Sequence, residues 1–360
     1  MLSIVINLSR TSRWQQRRGN YHPQFFTLGL ILVIAVPIFA HAALVDDRYH
    51  YSDYETNPNV SEYSEWWFFN LYKQDVQAVI QYSWWDPAQI TPLNFGLMYV
   101  SIHRSNIALD VLFPIPWENI VTSPSSAALI MGPETITVND DGSYTLSSSV
   151  LDEQGNTVAW DLVHVQQLPS LNPSLITISP TEEMNWYAQM PSAVVSGAII
   201  VNGETIVVDS ARGYHDHNWG PWKLTDTLWN WFETNTPDCT IVGYDLFALN
   251  TGQITVEFAD QTVQFEKSQY SIFNYGRTTL YGLPFKFPTK TTVVANNGEY
   301  ILTLNIETGT TSYVAKPEMD LIWIVLESDA TFKGQLISRG VVEQIASVCF
   351  RKYTINIPNQ

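Results

Sequence analysis

Cysteine is scarce in this chain: two residues in 360, Cys239 and Cys349. At most one disulfide can form, so a disulfide-framed scaffold is excluded, and two buried free thiols serve equally well. Positive charge is scarce too. The chain has 18 Lys and Arg against 35 Asp and Glu, a net charge of -17. Four of those bases, Arg10, Arg13, Arg17 and Arg18, lie in the first 42 residues, where there is no acid. The remainder holds 14 bases against 35 acids, a net of -21. Such a chain is repelled by phosphate backbones and anionic lipid heads, so no nucleic acid partner is expected. The chain also lacks a phosphate-cradling glycine loop, a CxxC pair, an HExxH helix and a GxSxG elbow. The mechanisms these motifs serve lose their usual support, and no cofactor is expected. No long amphipathic helix is legible. Beyond residue 39 no apolar run is long enough to span a bilayer as a helix, which takes about 20 residues.

The composition is otherwise rich in aromatics, 13% of the chain, with 13 Trp. These rings bring large apolar area and a polar edge, which suits an aromatic-rich β core or an apolar cavity. Short β-prone runs recur between turn clusters. The runs include Val76 to Trp85, Phe95 to His103, Thr157 to Gln166, Thr240 to Ala248 and Tyr300 to Ile306. Asp140-Asp141-Gly142 and Asn296-Asn297-Gly298 read as turns. Further strands are expected over Leu336 to Gln344 and Ser347 to Ile355. Asp226 to Glu233 reads as a short helix or an extended loop. The pattern is all-β, a sandwich or barrel, and the length suits two domains that divide between about 190 and 240. Residues 43 to 62, with Asp46, Asp47, Asp53 and Glu55, read as a surface lead-in.

The densest chemistry lies in Gly213-Tyr214-His215-Asp216-His217-Asn218-Trp219-Gly220. Two of the seven histidines sit there one residue apart. Upstream, Asn202-Gly203 joins two β-rich runs and predicts a type I′ hairpin turn. If the segment stays extended, His215, His217 and Trp219 share one face and Tyr214, Asp216 and Asn218 the other. Two imidazoles and an indole on one face suit a reaction or ligand centre. A buried polar cluster that fixes a turn would carry the same pattern. The H-x-H spacing could also supply two metal ligands, with His103, His164 or Glu65 as a distant third. No second local cluster supports that, and no metal is expected. Acid-base chemistry is better supported: His217 could carry a proton beside Asp216, and Tyr244-Asp245 adds a phenol and an acid on a later strand. The simpler reading of Tyr244-Asp245 is one side chain in and one out.

A second dense stretch is Glu65-Trp66-Trp67-Phe68-Phe69-Asn70-Leu71, a strand apolar on both faces. Glu65, Trp67, Phe69 and Leu71 would share one side. An acid heading such a run is costly to bury unpaired, so a solvent-exposed strand end is the simpler reading of Glu65.

Glu65-Trp66-Trp67-Phe68-Phe69 resembles the E-W-W-[YF] signature of the AttH-like and carotenoid 1,2-hydratase (hydroxyneurosporene synthase) superfamily. Tyr214 to Gly220 resembles its D-H-x-W-G signature with a preceding aromatic. Arg339-Gly340-Val341-Val342-Glu343 is similar to its late R-G-x-x-E element. Some fungal pericyclases (Diels-Alderases) look like relatives of the same fold. The resemblance implies two lipocalin-like β-barrel domains, 43–222 and 223–360, with an apolar pocket near their junction. It implies hydrophobic ligands such as polyenes, isoprenoids or lipids. Hydratase members protonate a C=C bond and add water. The family's His-x-Trp maps onto His217 and Trp219, and the Tyr of its Tyr-x-Asp onto Tyr244. Position 246 is Leu where that pattern has the acid, and Asp245 stands one residue early.

These observations together suggest an exported, lipocalin-like protein that holds an apolar ligand. In an enzyme, His217, Asp216, Tyr244 and Asp245 would do acid-assisted hydration or cyclisation. Glu65, Trp66, Trp67, Tyr214, His215 and Trp219 would form the ligand site, with Trp67 and Trp219 lining one cavity. In a non-catalytic carrier the same residues are lining. Residues 1–42 read as a signal peptide: four Arg, then the apolar run Phe25 to Phe39, then Ala40-His41-Ala42 as a small-x-small cleavage site. An uncleaved anchor is the alternative. N-terminal sequencing of the envelope-fraction protein should therefore begin at Ala43. Intact protein beginning at Met1 in the cytoplasm would contradict the assignment.

Overall fold

The structure is a computed structural model. It describes residues 47–56, 63–73, 76–85, 96–104, 106–151, 155–223, 226–279, 286–317 and 321–358. The signal peptide assignment, 1–42, lies outside them. All described residues belong to one compact unit, His41–Gln360.

The apolar runs fold as antiparallel strands in two curled sheets. The first sheet contains β1 (Ser64–Lys73), β2 (Val76–Trp85), β3 (Gly96–Arg104), β4 (Ile107–Ile115), β5 (Ile120–Thr122) and β6 (Leu129–Met131). It continues with β7 (Glu134–Val138), β8 (Tyr144–Leu151), β9 (Thr157–Gln166), β10 (Ser174–Ser179), β11 (Glu182–Val201) and β12 (Glu204–Gly220). Its order is β4-β3-β2-β1-β12-β11-β9-β8-β7-β6-β5, with β10 paired to β11. The second sheet contains β13 (Trp229–Asn235), β14 (Cys239–Leu246), β15 (Thr251–Phe258), β16 (Thr262–Glu266) and β17 (Tyr270–Thr278). It ends with β18 (Phe287–Asn296), β19 (Tyr300–Pro317), β20 (Leu321–Ser338) and β21 (Val341–Pro358). Its order is β16-β15-β14-β13-β21-β20-β19-β18-β17.

Both sheets obey one rule. The first and last strands pair in the middle, β1 with β12 and β13 with β21, and the wall opens between consecutive strands, β4/β5 and β16/β17. The first sheet is nearly a closed barrel and the second a half-barrel, the two-domain lipocalin-like architecture. Each sheet encloses its own apolar cluster. A third cluster lies between the sheets and mixes residues of both, among them Phe68, Val79 and Tyr214 with Trp229, Trp231 and Val325. This explains why β1 is apolar on both sides: one side fills the barrel and the other packs on the second sheet.

The Asn202-Gly203 turn has φ values of 52° and 83°, the left-handed pair that a type I′ turn requires. Three other sequence readings are corrected. Leu336 to Gln344 is not one strand, because Arg339 and Gly340 turn the chain with φ of 47° and 82° between β20 and β21. Flanking Val341 and Val342 hide that turn in the sequence. The segment from Asp226 contributes strand β13, since Trp229, Trp231 and Glu233 alternate onto the inter-sheet side. Residues 43 to 62 are not all surface lead-in, because Asp47 and His50 are buried. Cys239 is a free, buried thiol, which removes the disulfide alternative.

The bend in β11 and β12 depends on a bulge. Val195 pairs with Ala211 but Gly197 with Val208, so Ser210, at φ 54°, is the extra residue. Gly197 has φ 136°, and a Cβ there would lie 1.9 Å from the Asp161 carbonyl oxygen on β9. Gly197→Ala should destabilise the protein by about 2 kcal/mol or more, through backbone displacement and strain together. Gly203→Ala, where no atom lies within 4 Å of a Cβ, should cost about 1 kcal/mol from φ alone. Urea unfolding of both variants checks the order, and equal midpoints would contradict it.

Candidate functional site

Strand pairing decides the site. β1 and β12 place Glu65 opposite Trp219, Trp67 opposite His217 and Phe69 opposite His215. These six side chains project to the barrel side of the sheet. Directly opposed residues on one face touch. His215 accordingly stacks on Phe69 at 3.9 Å and His217 on Trp67 at 4.1 Å between ring centroids.

The polar atoms of this face are held by one another. Asp47 enters from the segment ahead of β1. Its Oδ2 lies 2.8 Å from His215 Nε2 and accepts from the Tyr144 hydroxyl at 2.7 Å, and its Oδ1 is 3.2 Å from His217 Nδ1. The Trp67 indole N–H donates to the Asp47 carbonyl. Glu65 lies 2.9 Å from His217 Nε2 and accepts from the Tyr63 hydroxyl and the His50 amide. Asp47, Glu65, His215 and His217 are fully buried. Glu65 is therefore not a solvent-exposed strand end. Burial disfavours the charged form of His217, but hydrogen bonds and charges from Asp47 and Glu65 outweigh it, and its pKa is raised. Burial likewise opposes ionisation of Asp47, yet His215 and His217 hold its carboxyl well below the usual carboxylate range. This is a buried ion-pair lattice, and none of its four members lines the cleft between the sheets.

The opposite face of the same strands carries Trp66, Phe68, Tyr214, Asp216 and Asn218, and it meets the second sheet. A cleft there encloses about 860 Å³ of space between atoms, part of it open to solvent. Its walls are Trp66, Trp85, Leu97, Tyr99, Ile176, Met184 and Trp186 from the first sheet, and Trp229, Trp231, Tyr244, Leu246 and Val325 from the second. The polar lining is Gln81, Asp216, Asn218, Glu327 and Lys352. A mostly apolar, aromatic lining with a few polar groups is the character of a small-molecule pocket.

Two carboxyls in that lining share one ammonium. Lys352 Nζ lies 3.0 Å from Glu327, donates to Gln81 Oε1 at 3.2 Å and sits 3.5 Å above the Phe68 ring centroid. Glu327 thus has the ion pair. Asp216 accepts from the Tyr214 hydroxyl at 2.8 Å and the Trp186 indole at 3.0 Å, both at Oδ2. Burial raises the Asp216 pKa, more than Lys352 and those two donors lower it. Both donors thus reach the same oxygen, Oδ2. The Tyr244 hydroxyl is pushed up by burial, and its ring meets Trp186 edge-on at 4.8 Å.

The residues singled out in the sequence therefore separate. Trp66, Asp216 and Tyr244 line the cleft, and Tyr214 braces Asp216 from beneath. Glu65, Trp67, His215, His217 and Trp219 do not line it. Trp67 and Trp219 do share a face, but Trp67 packs in the barrel core and Trp219 stacks on His50 at 3.9 Å. Asp216 is not the carboxylate partner of His217, because successive side chains of a strand point to opposite faces. Asp245 also turns from the cleft, accepting from the Tyr270 hydroxyl and pairing with Lys267. Among the described residues no group of three His, Cys, Asp or Glu side chains could hold a metal ion. Asn218, Trp186, Trp231, Glu327 and Lys352 were missed. Asn218 alone was within reach, since it shares the Asp216 face. The other four gain their place only from pairing across distant strands.

No protein-family model matches the chain. Kievitone hydratase of Fusarium solani subsp. phaseoli is 21% identical over 174 residues, which cover 43% of this chain and 49% of the relative. The match thus spans about half the length of that relative. Among solved structures, the AttH protein of Nitrosomonas europaea superposes with a TM-score of 0.64 at 14% identity, over 90% of this chain and 98% of the other. Kievitone hydratase from Nectria haematococca gives 0.58 at 15% identity, over 89% and 94%. CghA gives 0.54 at 10%, over 83% and 90%. The chain has the AttH-like lipocalin fold that its three sequence signatures indicate.

The buried lattice has a pH signature. Because the His217 pKa is raised on folding, its stabilising contribution is complete below pH ~6.5 and is lost as pH rises through the folded value. His217→Gln should cost about 3–5 kcal/mol near pH 6, since it strands buried Glu65 and leaves Asp47 with His215 as its one remaining histidine. The gap between wild type and variant should narrow toward pH 9. Urea unfolding at pH 6, 7.5 and 9 measures this, and a gap independent of pH would contradict a charged His217.

Proposed function

We propose, on the premise of the AttH-like lipocalin fold, that this protein binds an apolar, unsaturated small molecule of polyene or isoprenoid type in the cleft between its sheets. Asp216 then acts on it as a buried acid. The observation that carries the reading is the placement of one carboxyl, without an ion pair and raised in pKa, in a cleft walled by seven aromatic rings. The similarity to kievitone hydratase supports a hydratase-type activity. The proposal keeps the export read from residues 1–42, and two lipocalin-like domains, 43–222 and 223–360.

The reaction balances as follows. The alkene π pair forms a C–H bond with the Asp216 proton, leaving a carboxylate and a carbocation. The faces of Trp66 and Trp186 stabilise the positive charge by cation–π attraction, about 2 kcal/mol per well-placed, desolvated ring. A water oxygen forms the C–O bond, and its surplus proton returns to Asp216. Tyr214 and Trp186 keep the carboxylate form tolerable and aimed. Tyr244 presents a neutral hydroxyl toward the ligand. His217 has no part in proton transfer here; with Asp47 and Glu65 it stiffens the strand that bears Asp216.

One observation favours the carrier alternative. Leu246 lines the cleft at the position where the hydratase pattern has an acid. The two readings separate cleanly. A panel of isoprenoid alkenes, including squalene, geraniol and a prenylated phenol, should be incubated with the protein in heavy-oxygen water and read by mass spectrometry. The enzyme reading expects a labelled alcohol from wild type and a loss of at least a hundredfold in Asp216→Asn, with binding kept. Binding without any labelled alcohol assigns the carrier role. No binding at all rejects the cleft as a ligand site.

A further inference from the structure

Asn218 is the polar side chain of the cleft that this chemistry leaves unused. It lies on β12 two residues beyond Asp216, on the same face and about 7 Å along the strand. It is 3% exposed, and its Oδ1 has no hydrogen-bond partner. A buried carbonyl oxygen without a donor is costly, typically about 1–3 kcal/mol. Native proteins rarely leave one without a reason. Its cross-strand neighbours are Trp66 on β1 and Trp186 on β11, both cleft walls. The Trp186 N–H is already given to Asp216. A buried water normally holds about three hydrogen bonds. The strand neighbours of Asn218 on both sides, Trp66 and Trp186, are indoles. A ligand hydroxyl needs that one acceptor only, and its carbon skeleton fills the space against the rings.

We propose that the cleft selects an apolar ligand bearing a hydroxyl, whose O–H donates to Asn218 Oδ1 while the unsaturated chain runs past Asp216. The inference rests on the cleft being a ligand site and adds the polar feature that site reads. Asn218 sets which ligands bind and where the double bond falls, about 7 Å from the hydroxyl contact. A hydrocarbon polyene gains nothing from it, and an ester leaves Oδ1 without a donor.

Three probes test this on the full-length mature protein: retinol, which has the hydroxyl; retinyl acetate, which keeps the polyene but lacks the donor; and diphenylhexatriene, a hydrocarbon. Affinities come from quenching of tryptophan fluorescence and from diphenylhexatriene emission. Wild type should bind retinol about tenfold more tightly than retinyl acetate, the worth of one buried hydrogen bond. Asn218→Leu should bring retinol to the acetate level and leave diphenylhexatriene unchanged. Equal binding of retinol and its acetate by wild type, a measurement that needs no variant, overturns the inference and leaves the cleft reading intact. A retinol preference that survives in Asn218→Leu also overturns it. Binding of none of the three rejects the cleft reading, and this inference with it.

Discussion

The pairing of β1 with β12 is the constraint on which the rest of this molecule depends. β1 and the Gly213–Gly220 half of β12 are largely buried on both faces, so most side chains there are committed to one of two interiors. The alternation of a strand then sorts chemistry by parity. Odd positions, from Glu65 to Phe69 and His215 to Trp219, belong to the barrel. Even positions, Trp66, Phe68, Tyr214, Asp216 and Asn218, belong to the space between the sheets. A one-residue slip would exchange the two sets, placing an ion lattice in the cleft and indoles in the barrel. The stacked pairs Trp67–His217 and Phe69–His215 lock the register against that.

The two faces of the β1/β12 pair treat charge in opposite ways. At the β1/β12 seam of the barrel the carboxylates are matched: Asp47 and Glu65 meet His215 and His217 at 2.8–3.2 Å, and the Tyr144 and Tyr63 hydroxyls donate to Asp47 Oδ2 and Glu65 Oε2. Such a lattice is rigid, and breaking it is costlier than never having it. Asp47 also ties the segment ahead of β1 into the barrel. In the cleft the match is left incomplete. Asp216 and Glu327 share the charge of Lys352, which is in contact with Glu327, and burial raises the pKa of both carboxyls. Ion pairing on one side of β12 and an incompletely paired carboxyl on the other sit back to back. The lattice holds the strand, and the strand places Asp216 in the cleft.

The second sheet contributes what the first lacks. Trp229, Trp231 and Tyr244 complete the aromatic wall, and Lys352 supplies an ammonium to the cleft lining. Contacts such as Asn70 with Glu233 at 3.0 Å and Thr240 with the Pro191 carbonyl at 2.8 Å hold the sheets at this spacing. The cleft is therefore a property of the pair of sheets.

Much was legible in the sequence for local reasons. Turn dipeptides such as Asn202-Gly203 dictate backbone sign, and β-prone runs such as Val76–Trp85 and Thr157–Gln166 dictate strands. Parity placed His215, His217 and Trp219 together and Asp216 apart, because alternation follows from covalent geometry alone. The motif stretches were also the right ones: β1 and β12 do carry the lattice and one wall of the cleft. What the sequence could not contain was which interior each parity faced. That depends on what packs against each face, and both faces of these strands are apolar. The partner of His217 was sought in its neighbour Asp216, whereas it came from Asp47 and Glu65, more than 150 positions away in sequence. Asp47 looked like an exposed acid in a polar lead-in, since nothing local marks a carboxylate whose counter-charge arrives with another strand. Local stereochemistry determined the strands, the turns and the two-faced motif. Only the tertiary pairing decided which face became a sealed ion lattice and which became a cleft, because burial and charge compensation are set by neighbours in space.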